Sequence, residues 1–299
     1  MDKAQPSRGP ELRNIQPTAL PDARLTAHYA AQVLATFGQH FVGAEPDDSH
    51  RAMGWDDDSG ALVSAGSHRS SGSRLLLATA SLTLRLVQPG KTDDVTFELE
   101  GRTLGEAISW LKGQLRPDGE ALDMPDYDLP DHPLAAGAVF PVPGPPLRQL
   151  EGWFTHAYRA LAEMTTRRAV GSPIRIWPHH FDCAALIPVP SPPGGEGASA
   201  DRSAEGQGEI GDEQAISLGL SPGDQSYAQP YWYVSPWPYP DPSALPPLRT
   251  GRWHTEGWVG AILTGEALLA RAAPGDEGVV AKDFLNTAHD AALEALRRG

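Results

Sequence analysis

Residues 75–87 read LLLATASLTLRLV, and their alternation decides what kind of fold the chain builds. Leu76, Ala78, Ala80, Leu82, Leu84 and Leu86 share one parity, while Thr79, Ser81, Thr83 and Arg85 share the other. Successive side chains of an extended strand point to opposite faces, so this spacing predicts one strand with a buried and a wetter face. One-sided burial is the habit of antiparallel sheets, because crossover helices cover parallel sheets on both faces. Val95, Phe97 and Leu99 repeat the pattern after a turn at Pro89 and Gly90, which predicts a hairpin.

Helical spacing flanks these strands. Leu25, Tyr29, Val33, Phe37 and Phe41 recur every four residues behind Pro21, predicting a helix over 22–41. Thr103 and Glu106 carry the capping-box spacing ahead of Leu104, Ile108, Leu111 and Leu115. A third stripe runs through Leu147, Leu150, Phe154, Tyr158 and Leu161, and a fourth through Ala281, Leu285, Ala288, Ala292 and Leu296. Strands are expected at 215–219 (AISLG) and 231–235 (YWYVS), on either side of the turn Ser221-Pro222-Gly223-Asp224. Helices and strands do not alternate regularly. The expected class is therefore α+β, a largely antiparallel sheet with packed helices and long Pro/Gly-rich loops. The expected organisation is a flexible N-terminal arm (1–21) and a single α+β domain (22–298), with a candidate sub-domain boundary near 117–146. Residues 188–213 lack the apolar side chains to bury anything and are expected to be a disordered insertion between two strands.

Composition excludes some partners. A formal charge of −14 with no clustered basic stretch argues against binding nucleic acid or an anionic lipid surface. One cysteine, Cys183, allows no internal disulfide, and no apolar run is long enough for a signal segment or a membrane helix. The expected location is the cytoplasm. No loop of phosphate-cradling pattern opens a helix, so no nucleotide or organic cofactor is indicated.

Two stretches concentrate the chemistry, WPHHFD (177–182) and WHTEGW (253–258). If 179–182 are extended, His180 and Asp182 share a face, and by the same rule His254 pairs with Glu256. Were the two strands neighbours, two imidazoles and two carboxylates would meet. That donor set suits a divalent Zn, Mn or Fe ion, with Asp182 or Glu256 left as a catalytic base. The plainer reading is that both histidines satisfy backbone carbonyls in a Trp-lined interior. The thiol of Cys183 points away from His180 and Asp182 in such a strand and reads as a small buried hydrophobe.

Eight of the chain's 22 aromatic residues lie between Tyr227 and Trp258. Tyr233, Trp253 and Trp258, with Trp177 from the first stretch, are the expected walls of a pocket. The competing reading packs both faces of YWYVS into a core.

The motifs SPIRIWPHHFDCA, ISLGLSPGD, PYWYVSPWP and WHTEGW resemble an uncharacterised bacterial family, domain of unknown function 5996. The resemblance covers about residues 147–298, and more loosely 75–115. It implies a single soluble bacterial domain and assigns no catalytic residue. Two functions are therefore expected as alternatives. One is a metal-dependent hydrolase or oxygenase acting on a small molecule through His180, Asp182, His254 and Glu256. The other is a non-catalytic protein that binds a small ligand or peptide in an aromatic-lined pocket. Nothing in the sequence sets the oligomeric state.

Overall fold

One face of an antiparallel sheet carries the helices, and the other carries the polar chemistry. The computed structural model describes residues 10–66, 72–116, 119–168, 171–190 and 214–298. Among them, eleven strands form one sheet: β1 (Met53–Asp56), β2 (Ala61–Ser64), β3 (Arg74–Ala78), β4 (Thr83–Val87), β5 (Val95–Glu98), β6 (Arg175–Ile176), β7 (Cys183–Pro188), β8 (Ala215–Ser221), β9 (Tyr231–Trp237), β10 (Arg252–His254) and β11 (Gly260–Thr264). Their spatial order is β10-β11-β9-β8-β7-β6-β1-β2-β3-β4-β5, and every pairing between neighbours is antiparallel. The α-helices described are α1 (Pro21–Phe41), α2 (Leu104–Leu115), α3 (Pro145–Arg168), α4 (Gly265–Arg271) and α5 (Glu277–Arg298). The fold is α+β.

Helices α1, α3 and α5 pack side by side as one layer, over β2–β3, over β1 with β7–β8, and over β8–β9 with β11 respectively. Half of the buried residues of α5 are alanine (Ala281, Ala288, Ala291, Ala292, Ala295), so its axis can lie close to the sheet. Trp153 and Phe154 of α3 and Trp232 of β9 are fully buried in this seam. Each contributes roughly 1.5–3 kcal/mol or more of apolar burial. The alternation of YWYVS has its physical consequence here: Trp232 and Val234 enter the core, while Tyr231 and Tyr233 take the opposite face. The capping box of α2 forms as expected, with Thr103 and Glu106 exchanging side-chain and backbone hydrogen bonds.

The stretch 75–87 is two strands rather than one. The chain reverses over Thr79–Leu82, where Leu82 adopts φ +50, and β3 pairs with β4. The four-residue reversal shifts the inward parity, so the buried ladder is Leu75 and Leu77 opposite Leu86 and Leu84. Leu76 instead pairs with Arg85. The expected hairpin with 95–98 does form, between β4 and β5.

From Pro10 on, the expected N-terminal arm is seated rather than loose. Leu12 and Leu20 are fully buried, and Gln149 of α3 bonds the Ile15 N–H and the Glu11 carbonyl. Arg13 pairs with the buried Glu277 at 2.8 Å. Of 117–146, the described part has little regular structure, yet Leu122, Leu134 and Phe140 are buried and Tyr29 of α1 donates to the Pro130 carbonyl. The insertion expected at 188–213 lies outside the described residues beyond Pro190, and β7 and β8 on either side of it pair directly. No helix among the described residues is long and apolar enough to cross a membrane.

Candidate functional site

The WPHHFD stretch is a turn, not a strand. It closes the β6–β7 hairpin: the Phe181 N–H donates to the Trp177 carbonyl at 2.7 Å, and the Trp177 N–H donates to Asp182 O at 3.2 Å. Phe181 takes φ +60, a left-handed conformation that a bulky residue adopts only when its surroundings hold it there. Its ring is fully buried, stacked 4.9 Å from His28 of α1 and set edge-on 5.1 Å from Phe154 of α3. From α1, the His28 Nε2–H and the Gln32 side-chain amide both donate to the Pro178 carbonyl, at 2.7 and 2.8 Å. The turn is thus clamped to α1 at both ends of the Pro178–Phe181 segment. Proline in the second position and the reversal at Phe181 break the two-residue spacing, so His180 and Asp182 do not share a strand face. His180 is exposed and its ring meets that of His179 at 4.4 Å.

With Phe181 inward, Asp182 turns to the face opposite the helices. There it accepts a 2.5 Å hydrogen bond from the Tyr233 hydroxyl. Tyr233 stands two strands away on β9, and it reaches Asp182 by lying over Gly219 of β8, its register partner. A Cβ at 219 would stand 2.9 Å from the hydroxyl oxygen and 3.0 Å from the ring carbon that bears it. Glycine there is a path for the tyrosine. Burial of the hydroxyl end, and then the Asp182 charge, push the Tyr233 pKa well above the ordinary tyrosine value. The residue as a whole is only half-buried. The hydroxyl end, enclosed between Gly219 and Asp182, is the part that decides the titration.

A second tyrosine–carboxylate pair lies beside the first. The Tyr231 hydroxyl donates to Asp224 Oδ2 at 2.5 Å, and burial followed by the Asp224 charge raises its pKa. Asp224 comes from the SPGD turn, and its Oδ1 accepts the N–H groups of Ser226 and Tyr227 at 2.7 and 2.9 Å. Side-chain acceptance of N–H groups two and three residues on is the Asx-turn habit of aspartate, which fixes the loop that follows. The rings of Tyr231 and Tyr233 are 6.2 Å apart, and Tyr227 meets Tyr231 at 4.9 Å. Arg24, from the first turn of α1, packs its Nη1 against Gly223, 3.2 Å from where a Cβ would stand.

WHTEGW completes the aromatic wall. The His254 Nε2–H donates to the Glu256 main-chain carbonyl at 2.7 Å, which in the neutral ring leaves Nδ1 to accept from the Tyr227 hydroxyl at 2.9 Å. Trp258 lies 4.4 Å from the His254 ring and 6.5 Å from Tyr231, and Arg252 sits 5.4 Å over Tyr227.

The residues expected from sequence divide accordingly. Asp182, Tyr233, His254 and Trp258 lie along one polar, aromatic strip on the sheet face away from the helices. The expected metal set is not brought together. Strands β10 and β7 are four steps apart in the sheet, about 19 Å at ~4.8 Å per step. Both nitrogens of His254 already have partners, and the Glu256 carboxylate is exposed. Ligands of one ion would have to lie about 2 Å from it. Among the described residues, no group of three or more His, Cys, Asp or Glu side chains is placed to hold a metal ion. Trp253 is paired with Ala261 and faces the helices, donating to the Pro246 carbonyl, so it is no wall of this strip. Trp177 stacks near Arg175 and His179 at the strip's near end. Cys183 is fully buried, and burial raises its thiol pKa, as suits a core residue.

From sequence Tyr231 stood only among the eight clustered aromatics and Asp224 only in the expected turn, while Arg24 and the positioning residue His28 were not singled out. Period-two spacing in YWYVS already put Tyr231 beside Tyr233, and the SPGD turn advertised Asp224. Nothing local marks Arg24 or His28, which arrive from a helix about 150 to 200 residues earlier. A shallow groove of about 1050 Å³ runs elsewhere, lined by Gly54, Val63, Arg74 and Arg175 among others, and shares no residue with the strip. Of its charged side chains, Arg175 pairs with Asp47 at 3.7 Å.

Comparison of the chain with family models, curated proteins and solved structures found no match. The class that the fold and strip define is an α+β protein with one helix-covered and one polar, aromatic sheet face.

Proposed function

We propose that the protein binds a small polar molecule on the strip formed by Asp182, Tyr233, Tyr231, Tyr227 and Trp258. The observation that carries this reading is the Asp182–Tyr233 pair. Asp182 is half-buried and spends Oδ2 on the tyrosine, while no hydrogen bond or ion pair among the described residues engages Oδ1. A partly desolvated carboxylate oxygen with its partner oxygen fixed is a preorganised acceptor for a ligand hydroxyl or ammonium group. The half-buried rings of Tyr227 and Trp258 supply flat apolar surface with polar edges over the buried Tyr231, the usual composition of a small-molecule site. A binding role asks only for these groups. The metal-dependent reading would require ligands that this geometry keeps apart.

A small-molecule library read by thermal unfolding tests the proposal. Ligands that raise Tm for the wild type should lose about tenfold or more in affinity with Asp182→Asn, as removal of a charge-assisted hydrogen bond of roughly 1.5–3 kcal/mol implies. Tyr233→Phe should weaken them as well, because Asp182 is then no longer held. Hits that bind both variants as tightly as the wild type would refute the assignment.

A further inference from the structure

The structure assigns Arg24 to an oxyanion: we propose that the ligand of the strip carries a carboxylate or phosphate group, and that the Arg24 guanidinium receives it. This rests on the strip being a binding site and names the class of molecule that fits it.

Arg24 lies in the first turn of α1 and is partly buried, with its Nε fully shielded and without a hydrogen-bond partner. No ion pair or hydrogen bond among the described residues engages the guanidinium. The nearest candidate partner is already committed. Asp224 gives Oδ2 to Tyr231 and Oδ1 to two backbone N–H groups, so the carboxylate stands beside Arg24 without bonding it. Buried cations are normally paired, because removing a charge from water costs several kcal/mol unless something replaces the hydration. Arg24 is half-buried, and burial lowers its pKa while Asp224 and Tyr231 oppose the shift, so the guanidinium is a partly desolvated cation that its surroundings balance in part. Guanidinium presents a planar fork of donors matched to carboxylate and phosphate oxygens.

Position and field sharpen the assignment. Arg24 packs on Gly223, whose φ of +119 and missing side chain let the backbone come close. It adjoins Tyr231, and its charge reaches His28, beside the turn that carries Asp182. One ligand lying along the strip can therefore place an anionic end at Arg24 and a donor-bearing end at Asp182. The chain's net charge of −14 opposes anions at long range, so the attraction has to be local and short.

The test uses the full chain with inorganic phosphate and acetate as probes, titrated calorimetrically and by Tm at constant ionic strength against chloride. Wild type is expected to bind at least one probe at millimolar concentration. A phosphate preference points to a phosphoryl group, and an acetate preference to a carboxylate. Arg24→Gln should weaken binding at least tenfold while leaving Tm without anion unchanged or higher, since it removes an unpaired cation. Arg24→Lys should fall between, keeping charge without the fork. Equal binding by all three proteins, no binding of either probe to wild type, or a response that chloride reproduces would overturn the proposal. A fall in Tm for Arg24→Gln without anion, with probe affinity unchanged, would show a purely structural arginine. A library ligand lost in Asp182→Asn but kept in Arg24→Gln would sink this inference and leave the strip standing. Probe binding that needs Arg24, with no ligand depending on Asp182, would do the reverse.

Discussion

His28 offers the most quantitative check on how the Asp182 turn is held. Its ring is buried between α1, Phe181 and the Pro178 carbonyl, and burial lowers its pKa from the ordinary 6.5 to about 4. Arg24, His180 and His179 add repulsion, and only the hydrogen bond to Pro178 favours the charged form. A histidine depressed in this way is neutral in the folded protein while the unfolded chain still takes up a proton. Its stability is therefore full above pH 6.5 and drains away as pH falls from 6.5 toward 4. The fall from 6.5 to about 4 corresponds to about 3 kcal/mol. His28→Gln keeps a donor for Pro178 and cannot titrate. Urea denaturation of both proteins between pH 7.5 and 4 should show wild type losing about 3 kcal/mol more than the variant. His50, His156 and His289 are lowered as well, mainly by burial, so the variant retains its own acid slope and the difference is the quantity to read. A pH-independent difference, or an NMR titration midpoint for His28 near its ordinary value, would refute the clamp.

Two further substitutions probe the same architecture. Gly219→Ala puts a methyl group against the Cys183 carbonyl and the Tyr233 hydroxyl, so overpacking of roughly 1–3 kcal/mol is expected. Part of that cost should vanish in a Tyr233→Ala background. Additive free energies in the double-mutant cycle would show that the tyrosine does not lie over residue 219. Phe181→Ala removes a fully buried ring and should cost about 3–5 kcal/mol in chemical denaturation. A loss below about 1 kcal/mol would mean that the turn is not anchored through this ring.

Local pattern carried the elements a long way and then failed at reversals. The stripes of α1, α3 and α5 and the capping box of α2 were readable because a helix repeats its environment every turn. In the letters of 75–87 the alternation ran on through a hairpin, because a tight turn of four residues looks like continued strand, while the buried parity changed from Leu75 and Leu77 to Leu84 and Leu86. WPHHFD failed for the opposite reason. Its extended reading assumed regular backbone, whereas Phe181 is held left-handed by His28 and Phe154, neither of which is near it in sequence.

For the site, the letters alone determined that Tyr231 and Tyr233 share a face and that Asp224 sits in a turn, because period-two geometry and Asx turns are local physics. They also marked Asp182 as worth watching. Only the tertiary structure decided the partners. Strand order put β10 four places from β7 and separated His254 from His180, and the absence of a side chain at Gly219 let Tyr233 cross a strand to reach Asp182. It also brought Arg24 from α1 to a carboxylate already spent on its own loop. Which charge goes unpaired is settled by long-range packing, and no run of neighbouring residues encodes it.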